Sequence, residues 1–329
     1  MQKKFDVIGI GHPCIDYLAH IESIPSPNQS RSVVDASWQP GGKIPTGLVA
    51  ASRCGLSCAF MGSMGDDLFG QYCKYDFEKH GIDLSAAVIQ EGKTTDMGVV
   101  LSEEEYHGRN IIYRRGSYIR PEETGLDFTP ILSADYLFIA LSDTLHVEAA
   151  RFAKEHGVKV LIDADNRPLD NYQEILPYID YFIASEFVYD ASFRDENYET
   201  HMQAIRDMGP SVVIFTFGSK GCRVLSDEGY CEIPAFKIKA FDTCGAGDTF
   251  HGAFFYGLKH QYSIRDTAIF ASAVSAIKCT NIGGRAGIPT PEVTKKFMET
   301  GEIDDREIKQ RVADYSWGIN TFFRENSMA

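Results

Sequence analysis

One segment of the chain has residue types and spacing suited to holding a phosphate: Phe241-Asp242-Thr243-Cys244-Gly245-Ala246-Gly247-Asp248-Thr249-Phe250-His251-Gly252-Ala253-Phe254. Gly245, Ala246 and Gly247 carry almost no side chain, so the backbone can approach an anion closely, and the apolar run behind them predicts a helix over 246–259. The first turn of such a helix aims unpaired N–H groups and the positive end of its dipole at whatever sits in front of it. That field holds Asp248 ionised, and an ionised carboxylate there accepts the proton of an attacking hydroxyl. A bare G-x-G-D string also fits a glycine turn with a capping aspartate. His251, three residues on, reads as a packed or capping histidine rather than a proton donor. The glutamates of Glu103-Glu104-Glu105 read as a solvated turn.

Such a site needs elements to hold it. Buried strands are predicted near 7–10, 136–141, 158–163, 181–184 and 212–217, and helices near 46–54, 69–80, 146–156, 198–208, 246–259 and 264–279. Several of these helices are closed by a following glycine, as at Gly55, Gly81, Gly157 and Gly209. The alternation predicts a parallel sheet covered by helices, with ligands outside the carboxyl ends of the strands. Two stretches, about 17–39 and 94–118, break the rhythm with strand-like alternation around Pro25-Ser26-Pro27-Asn28 and Glu104-Glu105-Tyr106-His107-Gly108. They predict a small separate sheet inserted into one α/β domain spanning 1–329.

Composition narrows the partners. The net charge is -14 and no dense basic run is present, which argues against nucleic acid. The first ten residues lack the apolar core of a secretory signal, and no run approaches the roughly 18 apolar residues a membrane span needs. Eight cysteines are scattered without a C-x-x-C pair, which predicts reduced thiols in a cytoplasmic protein.

The string from Asp242 to Asp248 resembles the D-T-x-G-A-G-D signature of the ribokinase/PfkB family of carbohydrate kinases. Other segments resemble that family in the expected order. They are Gly9-Ile10-Gly11 through Asp16, then Pro40-Gly41-Gly42-Lys43 leading to Arg53-Cys54-Gly55, and Phe60 through Gly70. Thr216-Phe217-Gly218-Ser219-Lys220-Gly221 resembles the T-x-G-x-x-G segment, and Asn281 through Pro289 the late loop. The resemblance, over about 6–290, implies a ribokinase-like three-layer α/β/α sandwich with a mostly parallel sheet and a β lid. It implies an ATP-dependent kinase using Mg²⁺ and transferring the γ-phosphoryl group to a hydroxyl of a sugar or sugar acid. By the same resemblance Asp248 is the base and Gly245, Ala246 and Gly247 are the anion hole. Asp16, Gly41, Gly42, Lys43, Thr46 and Arg167 bind the acceptor, with Arg114 or Arg115 of the lid as further candidates. Thr216, Gly218, Gly221, Asn281 and Gly284 bind the nucleotide. Asp242 helps to organise a monovalent-cation (K⁺) site, and two lids clasp as a homodimer.

Three positions depart from the family pattern. Thr46 stands where relatives carry an acceptor-binding Asn, Asp165 replaces the Asn of D-x-N-x-R in Asp163-Ala164-Asp165-Asn166-Arg167, and N-x-x-E is not intact near Glu186, which is left to act on Mg²⁺ through water. A nucleoside kinase of the same fold and a catalytically silent sugar-binding regulator are the competing readings. A dehydrogenase is excluded, because the third glycine of G-x-G-x-x-G would fall at Cys14.

Overall fold

The computed structural model describes residues 3–103, 109–165 and 167–326. The turn read at 104–108 and Asn166 lie outside them. The strands are β1 (Phe5–Ile10), β2 (Cys14–Ile21), β3 (Asp35–Gly41), β4 (Cys58–Gly65), β5 (Asp83–Gln90), β6 (Asp96–Glu103), β7 (Arg109–Arg114), β8 (Ala134–Ile139), β9 (Lys159–Asp163), β10 (Tyr181–Ser185), β11 (Val212–Thr216), β12 (Cys222–Ser226) and β13 (Gly229–Ile233). The helices are α1 (Lys43–Arg53), α2 (Leu68–Lys79), α3 (Pro121–Thr124), α4 (Thr144–Glu155), α5 (Glu186–Ser192), α6 (Tyr198–Arg206), α7 (Ala246–Lys259), α8 (Ile264–Lys278), α9 (Pro291–Thr300) and α10 (Arg306–Asn326).

Nine strands form the main sheet in the order β13-β12-β11-β10-β9-β8-β1-β4-β5, parallel except at β12 and β13. Side chains alternate across the pleat, so neighbours in a strand enter different cores. Val7, Leu161, Ile183 and Ile214 face a core with Leu48 of α1, Phe254 of α7 and Phe270 of α8. Ile8, Ile162, Phe182 and Phe215 face a second core with Ala149 of α4, Val188 of α5 and Met202 of α6. With both faces covered, the strands are apolar throughout, which is why the sequence displays runs rather than alternation. The three-layer arrangement expected from the resemblance is present. The five predicted strands become β1, β8, β9, β10 and β11, while β4, β5, β12, β13, α9 and α10 extend the sequence reading.

The four remaining strands pair separately in the order β3-β2-β6-β7. One face of this small sheet is seated on the loops after β13 and α8. Leu18 and Val100 pack with Ile282, the His20 ring stacks on Phe241 at 4.3 Å, and Gln39 Nε2 donates to the Ile282 carbonyl at 3.1 Å. The chain leaves β1 into this lid and returns from β3 through Gly42, whose φ of 94° and closeness to the His12 carbonyl exclude a side chain.

A fully buried ion pair ties the lid root to the C-terminal helix. Arg285 is 0% exposed; its guanidinium donates to Asp76 Oδ2 at 2.5 Å, to the Gly41 carbonyl at 2.9 Å and to Thr46 Oγ1 at 3.4 Å. Asp76 also accepts from the Tyr315 hydroxyl of α10 at 2.5 Å. Burial opposes ionisation of Asp76, but Arg285 and His80 outweigh it and hold the carboxyl below its ordinary range.

Candidate functional site

The turn before α7 takes the shape a phosphate cradle needs. Gly245 is the helix N-cap with φ 71°, a left-handed conformation that favours glycine, and a Cβ there would sit 2.8 Å from the Gly284 Cα. Asp248 lies in the first turn of α7. His251 is 1% exposed, its Nδ1 lies 2.6 Å from the Gly247 carbonyl, and its ring sits between Phe138 and Phe250. It is thus a packed residue that braces the turn.

Facing this turn, the end of β9 carries Asp163 and the loop beyond it carries Asp165. Lys43 Nζ donates to Asp163 Oδ1 at 3.0 Å, and Asp165 Oδ1 accepts from the Ser185 amide at 2.5 Å. Asp165 Oδ2 lies 3.8 Å from the point a Cβ on Gly247 would occupy, so this carboxylate borders the anion turn. Burial alone would lower the Lys43 pKa, but the charges of Asp163, Asp165 and Asp248 outweigh it and raise the value above the ordinary range. Burial likewise opposes ionisation of Asp163, and Lys43 with His251 overcomes it. Asp165 moves the other way, raised by burial and by the charge of Asp163. Asp163 Oδ2 is buried without a hydrogen-bond partner among the described residues.

Lys43 also lines a cavity of about 420 Å³ shared by Ile10, His12, Asp96, Arg120 and Leu141. The lid wall of this cavity is organised by Asp96. Its Oδ2 accepts from Arg120 at 2.6 Å, Tyr113 at 2.7 Å and Tyr118 at 3.2 Å, while Oδ1 accepts from the Gly116 amide at 2.6 Å. Arg120 Nε is buried with no hydrogen-bond partner among the described residues. Next to the cavity, the Asp16 carboxylate lies between the backbones of Gly41 and Gly98, where any side chain would strike it. Burial raises its pKa, offset in part by the Cys14 thiol at 3.5 Å and by Arg285. A carboxylate desolvated in this way gains from hydroxyl donors.

The other expected residues are distributed as follows. Thr46 is 2% exposed against Arg285 and is not part of the cavity wall, so it serves the lid root rather than the acceptor site expected of it. Arg167 is exposed and borders a smaller hollow with Ser142, Asp143 and Tyr172. Arg115 is exposed and pairs with Glu123. Thr216 ends β11, and Gly218 and Gly221 flank a single turn with φ of 53° and 91°. Lys220 in that turn lies 3.6 Å from Glu186, the first residue of α5. Asn281 donates to Thr280 Oγ1 at 2.9 Å, and Gly284 backs Gly245. Asp242 is 2% exposed, and its carboxylate accepts from the amides of Cys244 and Gly283 at 2.9 and 2.7 Å. It staples two loops together.

Sequence reasoning did not single out Asp96, Tyr113, Arg120 or Lys278. A trace was present for two of them. Asp96 is an acid at the start of an alternating strand on its buried phase, and Lys278 is a lysine closing a helix that carries no other charge after its first turn.

Comparison with known proteins agrees with this arrangement. Residues 4–291 match the model of the pfkB family carbohydrate kinases. A nucleoside kinase of Methanothermobacter thermautotrophicus is 25% identical over 305 residues, covering 90% of this chain and 97% of the relative. A ribokinase of Haemophilus influenzae is 29% identical over 318 residues, covering 91% and 99%. The structure of Arabidopsis thaliana ribokinase complexed with ribose and ATP superimposes with a TM-score of 0.77 at 19% identity, covering 91% of this chain and 99% of that one. With a glycine cradle before α7, a carboxylate in its first turn and a family match over nearly its whole length, the chain belongs to the pfkB family of carbohydrate kinases, phosphotransferases with an alcohol acceptor.

Proposed function

We propose that the protein transfers the γ-phosphoryl group of ATP to a hydroxyl of a sugar or sugar acid held in the 420 Å³ cavity. The observation that carries this reading is Lys43, which lines the cavity and donates to Asp163 at 3.0 Å, two residues before the Asp165 carboxylate that borders the Gly245–Gly247 turn. It brings the candidate base and the acceptor site together. Asp248 takes the hydroxyl proton, the freed oxygen attacks the γ-phosphorus, and the bond to the bridging oxygen breaks to release ADP. The amides of the Gly245–Gly247 turn hold the charge that develops on the transferring group. Thr216, Gly218 and Gly221 border the nucleotide. The carboxylates of Asp165 and Glu186, at the ends of neighbouring strands, suit a hydrated Mg²⁺, and the raised pKa of Asp165 marks a place where a cation relieves repulsion. When bound, Mg²⁺ supplies charge neutralisation on the β- and γ-phosphates.

The test is ATP consumption with purified protein against pentoses, ketohexoses, keto-sugar acids and nucleosides. Turnover with no member of the panel would sink the reading. A nucleoside acceptor is the second reading, favoured by the apolar wall of Ile10, Ile44, Ala140 and Leu141 and by a volume in the range of drug-sized ligand sites.

Asp16→Ala should raise the acceptor KM at least about tenfold while ATP affinity holds, since charge-assisted hydrogen bonds contribute roughly 1.5–3 kcal/mol each. An unchanged KM in a folded variant removes Asp16 from the site.

The protein acts as one domain carrying its lid, and it assembles through that lid. Trp38, Tyr17, Val99 and Ile112 stand in register across the four lid strands, forming an apolar row on the face turned away from Ile282, with Ile112 64% exposed. A second copy is the simplest cover for this row, and light scattering at micromolar concentration should give twice the chain mass. A monomer there rules the dimer out. The absence of a disulfide among the described cysteines accords with a reducing, cytoplasmic setting, and no helix among the described residues is long and apolar enough to cross a membrane.

A further inference from the structure

The loops at 241–245 and 279–284 meet behind the phosphate cradle. The amides of Phe241 and Asp242 both donate to the Cys279 carbonyl, at 2.8 and 3.1 Å, and the Gly283 amide donates to Asp242. This crossing leaves the carbonyl oxygens of Asp242 and Cys244 converging on one buried point. Converging carbonyl oxygens repel one another unless a cation lies between them. Lys278, the last residue of α8, is 0% exposed, and its ammonium donates to Asp242 O at 2.9 Å and to Cys244 O. An ammonium has three donors and no acceptor, so it matches such a cage.

The geometry points to Lys278 as a built-in cation that sets the anion hole and takes the place of a diffusible monovalent ion. The family resemblance implied K⁺ beside Asp242, but the residues present do not fit it. The carbonyls a small cation would use are turned to the lysine, and both oxygens of the Asp242 carboxylate are engaged by backbone amides.

The consequence for phosphoryl transfer follows from peptide geometry. In a trans peptide the carbonyl of one residue and the N–H of the next point in opposite directions. Pinning the carbonyls of Asp242 and Cys244 inward therefore turns the amides of Thr243 and Gly245 outward, on the side away from Lys278. Gly245 is the N-cap of α7, so the lysine orients the edge of the cradle and adds a fixed positive charge behind it. Lys278 is a positioning residue, since it acts through these peptides. The inference rests on the phosphoryl-transfer reading for its effect on turnover, though not for its effect on ion binding.

The experiment compares wild type, Lys278→Ala and Lys278→Met in chloride salts of potassium, ammonium and tetramethylammonium at one ionic strength, reading kcat, KM for ATP and Tm. Wild type should show the same kcat within about twofold and the same Tm within about 2 °C in all three salts. Lys278→Ala in tetramethylammonium should lose roughly tenfold or more in kcat, as when an oxyanion donor is misplaced. Potassium or ammonium should restore much of the loss and raise its Tm. Lys278→Met, which fills the space without charge, should show the loss without the rescue. Activation or stabilisation of wild type by potassium overturns the inference, as does a Lys278→Ala variant with full kcat in tetramethylammonium or no ionic rescue. If neither variant folds, the wild-type comparison decides alone. If no acceptor is turned over, Tm still decides the ion question, so failure of the kinase reading stays distinguishable.

Discussion

Asp248→Asn is expected to lower kcat by roughly 10² to 10⁴ while leaving ATP affinity unchanged or improved. The substitution keeps the size of the side chain, and the Gly245 turn, which sets the path of the backbone, is untouched. What is lost, on the proposed reading, is the group that accepts the hydroxyl proton. ATP affinity holds because the amides that face the phosphate belong to the backbone, and removing a negative charge beside the γ-phosphate eases its approach. If Asp248 served only the helix terminus, Asn would replace it almost equally well, since the two rank together at N-cap positions. A folded variant that keeps more than about a tenth of wild-type kcat therefore defeats the assignment.

Arg285→Met should cost about 3–5 kcal/mol of stability, because it leaves the Asp76 carboxylate buried with Tyr315 and, at 3.8 Å, His80 as its remaining partners among the described residues. The loss should be visible in urea unfolding as a lower midpoint with little change in slope. The Gly41 carbonyl loses its donor too, so the acceptor KM should rise with the instability. Pairing the change with Asp76→Leu should recover part of the loss, since a buried ion pair replaced on both sides is far less damaging than one left half complete. A cost below about 1 kcal/mol for Arg285→Met would mean that water reaches Asp76 and that the pair acts as a surface ion pair does.

These two residues mark how far the sequence could be read. The place of Asp248 in the first turn of a helix was legible because the Gly245–Gly247 turn precedes it directly, and its proposed chemistry is read from those same neighbours. Arg285 sat in a loop whose position was noted, but its partner Asp76 is 209 residues away in sequence, and nothing local tells a buried arginine from a solvated one. The same limit hid the Lys278 contact with Asp242 and the Asp96–Arg120 pair, whose partners lie 36 and 24 residues apart in sequence. Thr46 illustrates the reverse case. A motif position was identified, yet the smaller side chain turned to Arg285, and only packing could decide that. Among the elements, β4 was passed over because its run CAFMGSMG is buried along its whole length and rich in glycine and methionine, so it displays neither alternation nor β-branched residues. By contrast, β9 to β11 carried continuous Val, Ile and Phe and were plain.

The proposed acceptor wall and the proposed phosphate cradle come from different parts of the fold. Asp16, Asp96, Tyr113 and Gly41 ride on the lid strands, whereas the Gly245 turn, Asp163 and Asp165 hang from α7 and the end of β9. On that proposal, substitutions in the lid are expected to retune which alcohol is accepted while the machinery of transfer stays intact. Lys43 joins the two parts, reaching from the cavity to Asp163, so a change there is expected to disturb both at once.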